Sequence, residues 1–230
     1  MFRTSGYCFL GLFALSLLAF WKTYVTHPTS FDPYTHVHAV LMVGWFAILI
    51  AQPFLIRRER RATHRVLGRI SFALVPLLVV SIILLTHARV TAVPAADLAA
   101  EANFFYLAFG MSVLLLVPWL LGIKHRHTVA LHARYMIATS LAVLDPVLGR
   151  ILAFYFPRLP SRDVYTLISY LVTAAILAVL IVREREQRVG RGVFPFVLVL
   201  ATLVYAGFFT LGRTDAWLAF IRWFGSLPLT

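Results

Sequence analysis

Hydrophobic residues along this chain fall in long uninterrupted runs separated by short polar connections. A run of about 20 apolar residues is long enough to cross the roughly 30 Å hydrocarbon core of a bilayer. Backbone groups surrounded by lipid must find hydrogen-bond partners within their own segment, so each run is predicted to be an α-helix. Seven runs meet or approach this standard, at about residues 6–25, 36–56, 66–86, 103–123, 132–155, 164–182 and 194–211.

Composition supports a membrane protein and excludes an ordinary soluble domain. Hydrophobic residues make up 61% of the 230 residues, charged residues only 13%, and the mean hydropathy is +0.86. A soluble domain of this size could not bury so much apolar surface. We therefore expect an all-α polytopic transmembrane helix bundle that forms one integral membrane domain over residues 1–230. The aromatic segment 215–224 is predicted to be a short helix in the membrane interface.

The basic residues predict how the bundle is oriented. The net charge is +12, and Arg3 together with the connections 57–69, 124–134 and 183–191 holds fourteen of the 21 Lys and Arg residues. Alternating spans bring these parts to one side, which the positive-inside rule assigns to the cytoplasm. The prediction is a multi-pass protein of the plasma (inner) membrane with a cytoplasmic N-terminus and an outer C-terminus. The predicted partner of its basic residues is anionic lipid and not nucleic acid. The pattern is also compatible with an oligomer.

Polar residues within the spans are candidates for function, because they are costly in lipid and usually face the bundle interior. In the second span His38 shares a helical stripe with Gln52 and is expected to point inward, whereas His36 lies about 200° around the helix. His38 and His87 lie near the outer ends of their spans. Four other histidines lie near the cytoplasmic surface: His64, His125, His127 and His132. These two levels predict two separate sites, one in each leaflet.

The fifth span carries two further charged residues. His132 and Arg150 are 18 residues apart, or five full turns of an ideal α-helix, and are expected to share a face at opposite depths. Arg150 could then serve an outer site. Asp145 is expected to point away from that face unless Pro146 bends the helix.

The motifs in and after the second span resemble a family of uncharacterised bacterial multi-pass membrane proteins. Members carry a His near the start of one span, a Gln and an Arg near its end, and a His-Arg-x-x-Gly-Arg entry to the next. Matching residues here are His36-x-His38, Gln52, Arg57, His64-Arg65-Val66-Leu67-Gly68-Arg69, His132-Ala133-Arg134-Tyr135-Met136 and Arg150. The resemblance covers residues 34–152.

A looser similarity links the same region to the core of b561-type cytochromes, which hold two b haems with four histidines near the starts of four successive helices. This resemblance implies that His38, His64 and His132 are haem ligands and that Arg150 contacts a propionate or a quinone. It also implies electron transfer with a quinone or another redox partner. The third ligand should stand near Asn103, where the chain has no histidine.

Two other classes of function stay open. A membrane-embedded zinc hydrolase would use an outer site of oxygen and nitrogen ligands, with an activated water; its candidate ligands are His38, His87, Glu101 and Asp145. A non-catalytic assembly or transport subunit would need none of these groups, because histidines at helix ends are often only solvated or hydrogen-bonded. No reaction follows from the sequence, and the single Cys8 excludes a Cys-based metal cage.

Overall fold

Helices account for all regular secondary structure in residues 4–156 and 161–230, the part of the chain that the computed structural model describes. Seven helical stretches in this part are long and apolar enough to cross a membrane, which confirms the predicted all-α polytopic bundle. The helices are α1 (Ser5–Phe20, continued by a π-helical turn, Trp21–Val25), α2 (Pro33–Arg57), α3 (Arg61–Ala92), α4 (Leu98–Lys124), α5 (Val129–Ala138), α6 (Leu144–Tyr155), α7 (Arg162–Glu184), α8 (Val193–Phe209) and α9 (Asp215–Gly225).

Several helices extend beyond the apolar runs that predicted them. α2 begins at Pro33 because Asp32 caps it: the Asp32 carboxylate accepts a hydrogen bond of 2.9 Å from the Thr35 N–H, and Pro33 suits the first helical position. His36 therefore lies inside the helix with His38, and the two histidines do not converge. α3 likewise includes both His64 and His87, which the predicted bounds left outside the span.

The fifth span is not one continuous α-helix, contrary to the prediction. A buried 3₁₀ segment, Thr139–Val143, separates α5 from α6. The hydroxyls of Thr139 and Ser140 donate to the carbonyls of Met136 and Ile137 at 2.6 and 2.8 Å, and such bonds compete with α-helical pairing. Because a 3₁₀ residue turns the chain by about 120° instead of 100°, five of them shift the helical phase by about 100°. The predicted shared face of His132 and Arg150 is therefore wrong.

α4 is the central helix and packs against α3, α5, α8 and α9. Small residues let it approach α8 closely, as is common where membrane helices pack. A Cβ added at Gly110 would collide with Val204, and one added at Gly207 would collide with Tyr106. Large apolar side chains on the outer faces of the bundle, such as Val40, Val66 and Leu203, are more than half exposed and are left to contact lipid.

The predicted terminal helix is present as α9. Thr214 caps it by accepting from the Trp217 N–H, and its buried residues Ile221 and Phe224 pack against Val90 of α3. The Trp217 indole donates a 2.7 Å hydrogen bond to the Ala102 carbonyl. This short helix therefore covers the ends of α3 and α4 that lie opposite the basic connections.

A buried ion pair fastens the end of the bundle that carries the basic connections, which we call the cytoplasmic end after the prediction of the positive-inside rule. Arg134 is 0% exposed, and its guanidinium pairs with Glu184 at the end of α7, whose side chain is 12% exposed. Arg134 also donates a 2.6 Å hydrogen bond to the Ala130 carbonyl. Arg134 thus holds α5 against α7. In the sequence it was counted only among the basic residues that predict the orientation of the bundle. Arg3, the first of those charges, lies outside the described residues.

Replacing Glu184 with Gln should destabilise the protein by about 3 kcal/mol, because the buried Arg134 guanidinium loses its ion pair with Glu184. The free energy of unfolding in mixed detergent micelles measures the effect. Glu186→Gln is the matched control, because Glu186 is 86% exposed and its ion pair with the neighbouring Arg185 is long, at 3.8 Å. Such exposed pairs contribute little to stability. Equal losses in the two variants would contradict a structural role for the Arg134–Glu184 pair.

The orientation given by the basic connections should appear in cysteine labelling of sealed cells. In a Cys8→Ser background, His127→Cys lies in a cytoplasmic connection and Asp97→Cys in an outer one, and both positions are exposed. A membrane-impermeant thiol reagent added from outside should label the Asp97 variant and spare the His127 variant until the cells are opened. The reverse pattern would invert the assigned topology.

Candidate functional site

Two of the predicted site residues meet at the cytoplasmic end of the bundle. His64 lies in the first turn of α3 and His132 in the first turn of α5, and both helices start on the side of the basic connections. Their imidazole rings have centroids 6.3 Å apart and planes at 85°. We call these two residues the histidine pair. The structure thus brings together the residues that sequence reasoning assigned to an inner site.

A backbone carbonyl orients one ring of the histidine pair. His132 Nδ1 lies 2.8 Å from the carbonyl oxygen of Gly122, near the end of α4. A carbonyl can only accept, so Nδ1 carries the hydrogen and Nε2 of the neutral ring keeps its lone pair. Gly122 allows this approach, because a Cβ there would lie 2.8 Å from the sulfur of Met136. A ligating nitrogen is thereby left on His132.

The other ring of the histidine pair is positioned through its backbone. The side-chain amide of Gln52, in the last turns of α2, donates a 3.2 Å hydrogen bond to the His64 carbonyl and joins α2 to the start of α3. The His64 Nδ1 atom is buried and makes no hydrogen bond within the described chain. A buried polar atom without a partner is costly, so the ring has a nitrogen that a ligand could satisfy.

Aromatic contacts and positive charge occur on α4 and on the helices that carry the histidine pair. Trp119 of α4 packs edge-on against Phe72 of α3, and its indole donates a 3.3 Å hydrogen bond to the Ser71 hydroxyl. Tyr135, three residues after His132 in α5, stacks on His125 with ring centroids 6.1 Å apart. The Arg65 charge acts on His64 from the neighbouring position. The basic connections leave this end of the bundle strongly cationic.

The ring separation of the histidine pair is compatible with two imidazole ligands on one metal centre. With a metal–nitrogen bond of about 2 Å and about 1.1 Å from that nitrogen to the ring centre, imidazoles on opposite sides of one ion have centroids roughly 6 Å apart. Structural and catalytic zinc sites use three or four protein ligands. Residues 4–156 and 161–230 contain no group of three or more His, Cys, Asp or Glu that could hold a metal. Haem iron needs only two axial ligands, because the porphyrin supplies the rest.

The outer candidate residues are not brought together. His38 faces α3, where its Nδ1 lies 3.0 Å from the Ser81 hydroxyl, and His87 is buried beside Phe224 with its Nδ1 2.7 Å from the Thr230 hydroxyl. Glu101 pairs with Arg162, and Asp145 faces α7 and α8. These residues therefore do not form the zinc site that the hydrolase hypothesis requires.

Arg150 belongs to the outer level, away from the histidine pair. Its guanidinium lies 4.2 Å from the centre of the Phe20 ring, and Nη1 donates a 3.0 Å hydrogen bond to the Pro146 carbonyl. The histidine on which its charge acts is His38. Arg150 is thus in no position to contact a ligand held between His64 and His132.

Sequence reasoning missed the carbonyl of Gly122 and the role of Arg134. Every residue has a backbone carbonyl, so the sequence does not mark the one that contacts His132. The indirect signal for this contact was the short 124–128 connection, which folds α5 back along the end of α4. For Arg134, the signal was a second charged residue, Glu184, near the cytoplasmic end of another span. Both contacts hold α5, the helix that carries His132.

Fold and site together define an integral membrane protein of the all-α polytopic class, with a histidine pair at one end of its bundle. Comparison of the chain with family models, curated proteins and solved structures finds no match. The function is therefore argued from the site itself.

Proposed function

We propose that this protein is a membrane-embedded b-type haem protein that transfers electrons, with one haem held between His64 and His132. The observation that carries the proposal is the distance of 6.3 Å between the two imidazole rings. When bound, a haem between two imidazoles supplies a one-electron couple. The resemblance to b561-type cytochromes supports the same two residues as ligands.

The chain's own residues would do three things for such a haem. The Gly122 carbonyl fixes the His132 tautomer and makes the ring a stronger ligand, as outer hydrogen bonds to ligating histidines commonly do. The Gln52 amide holds the backbone at His64 in place by donating to the His64 carbonyl. The basic residues of this end, among them Arg65, offer cations for the two propionates.

The proposal is for one haem, in contrast to the two of b561-type cytochromes. In those cytochromes the outer haem is held by two histidines, and His38 of this chain matches the position of one of them. Here His38 is bonded to Ser81, and Asn103 stands where the partner histidine is expected. We therefore assign no haem to the outer level. A quinone or a protein redox partner would exchange electrons with this site in the plasma (inner) membrane.

The purified protein, produced with an adequate haem supply, should show a b-type spectrum when reduced minus oxidised, with about one haem per chain. His64→Leu or His132→Leu should lower the haem content at least about tenfold, because one axial bond is lost. His127→Gln is the matched control, because His127 is exposed in the connection that leads from α4 into α5, the helix that carries His132. A colourless protein that also fails to take up added haem would contradict the proposal.

Methionine in place of His132 gives a second readout that does not require losing the haem. A His/Met ligand set raises the reduction potential of a haem relative to two imidazoles. His132→Met should therefore shift the midpoint potential upward by on the order of 100 mV, within the roughly 0.8 V range that axial ligands span. A redox titration of the bound haem measures it. His127→Met should leave the potential unchanged, and an unchanged potential in His132→Met would remove His132 from the ligand set.

A further inference from the structure

A second polar group lies within the outer half of the bundle, where α6, α7 and α8 meet. The Asp145 carboxyl faces the hydroxyls of Ser169 and Tyr205, and Tyr205 also faces Thr173. We call these four residues the Asp145 cluster. At 1.5 Å per residue, Asp145 lies about 15 Å below the outer end of α6 and Ser169 about 10 Å below the outer end of α7. The cluster is therefore within the hydrocarbon layer.

The hydroxyls of the Asp145 cluster are deeply buried and incompletely satisfied. Ser169, Thr173 and Tyr205 are 0%, 1% and 2% exposed. Thr173 donates a 2.9 Å hydrogen bond to the Ser169 carbonyl, but Ser169 Oγ, Tyr205 OH and Asp145 Oδ1 make no direct hydrogen bond. Buried polar atoms without a partner are costly, so a small ligand that bonds to them, such as a proton or a bridging water, would be favoured. The three atoms come from three helices and meet through the interactions of Asp145 with Ser169 and Tyr205.

The charges around the Asp145 cluster do not compensate an ionised carboxylate. Among the described residues, no Lys, Arg or His nitrogen forms an ion pair with Asp145 within 4 Å. Arg150, the charged group of α6 that acts on Asp145, is engaged with the Pro146 carbonyl and the Phe20 ring. His38 of α2 and Arg89 of α3 act on Arg150, and the titratable group facing Asp145 from α8 is Tyr205. An unpaired charge at this depth is strongly unfavourable.

We propose that the Asp145 cluster is an internal proton-binding site, in which the Asp145 carboxyl holds one exchangeable proton that it takes from the outer water. In the step, a hydronium ion gives its proton to a carboxylate oxygen and leaves as water, and no electron is transferred. The neutral carboxyl then has one donor and remaining acceptor oxygens. The Ser169 and Tyr205 hydroxyls, which each donate and accept, complement both through a bridging water.

A proton suits the Asp145 cluster better than a metal cation. The site offers one carboxylate and uncharged hydroxyls, whereas Ca²⁺ takes six to eight oxygen ligands and usually several carboxylates. The positive charge of Arg150 opposes a second cation that stays charged, but a proton neutralises the carboxylate. This inference is independent of the haem, because it uses other residues at the other end of the bundle.

Infrared spectroscopy of the full-length protein in lipid vesicles tests the inference. At neutral pH the protein should show the C=O stretching band of a protonated carboxylic acid, shifted in D₂O and absent in Asp145→Asn. Glu101→Gln and Asp163→Asn are the matched controls: both carboxylates are in ion pairs at the outer end of the bundle, and their loss should leave the band unchanged. Because Asn is neutral and similar in shape, Asp145→Asn should also keep the thermal unfolding temperature within about 4 °C of that of the unmutated protein.

The hydroxyl variants separate a proton site from a buried acid with only a structural role. Ser169→Ala and Tyr205→Phe each remove a hydrogen-bonding group and should shift the frequency of the band without abolishing it. In vesicles that hold the protein with its outer side exposed, raising the external pH should reduce the band, and raising only the internal pH should not. Absence of the band in a folded protein, its disappearance on adding Na⁺ at constant pH, or its insensitivity to both hydroxyl variants would each overturn the proposal.

Discussion

Backbone hydrogen bonding is the constraint on which the rest of this structure depends. Lipid offers no partner for an N–H or C=O group, so each span must satisfy its own backbone and becomes a helix. Seven spans that alternate in direction then place three helix ends on one side: the start of α3, the start of α5 and the last turn of α7. That arrangement brings His64 near His132 and Arg134 near Glu184. The contacts at the cytoplasmic end are thus consequences of how many spans there are and where each begins.

Small groups set how closely the spans approach at the places that matter. Gly110 and Gly207 let α4 and α8 come together without intervening side chains, and Gly122 lets α5 lie against the end of α4. Only at this close range does the Gly122 carbonyl reach the His132 ring. The helix that carries His132, α5, is also held by the Arg134–Glu184 pair and by the buried 3₁₀ segment that follows it. Preorganisation of the histidine pair therefore comes from packing, and not from other polar side chains at the rings.

Much of the fold could be predicted from the sequence, because apolar run length is a direct physical requirement of the bilayer. Depth predicted that His64 and His132 lie at the same level, and the resemblance to b561-type cytochromes implied that these two residues pair. Helical phase was less informative. The hydroxyls of Thr139 and Ser140 tighten the fifth span into a 3₁₀ segment, and the change moves Arg150 off the face predicted from five α-helical turns. Three-dimensional contacts such as Gly122 with His132 involve backbone atoms and leave no pattern in the side chains.

The histidine pair and the Asp145 cluster include residues of the same stretch of chain but lie at different depths. From His132 to Asp145 the chain rises about 22 Å through α5, the 3₁₀ segment and the start of α6. At that distance and an effective dielectric constant of about 20, two unit charges interact by only about 0.8 kcal/mol. Such a term changes an equilibrium constant by less than tenfold. Adding an electron at the cytoplasmic end would therefore change proton affinity at the outer end only slightly, and loss of either site would leave the other measurable.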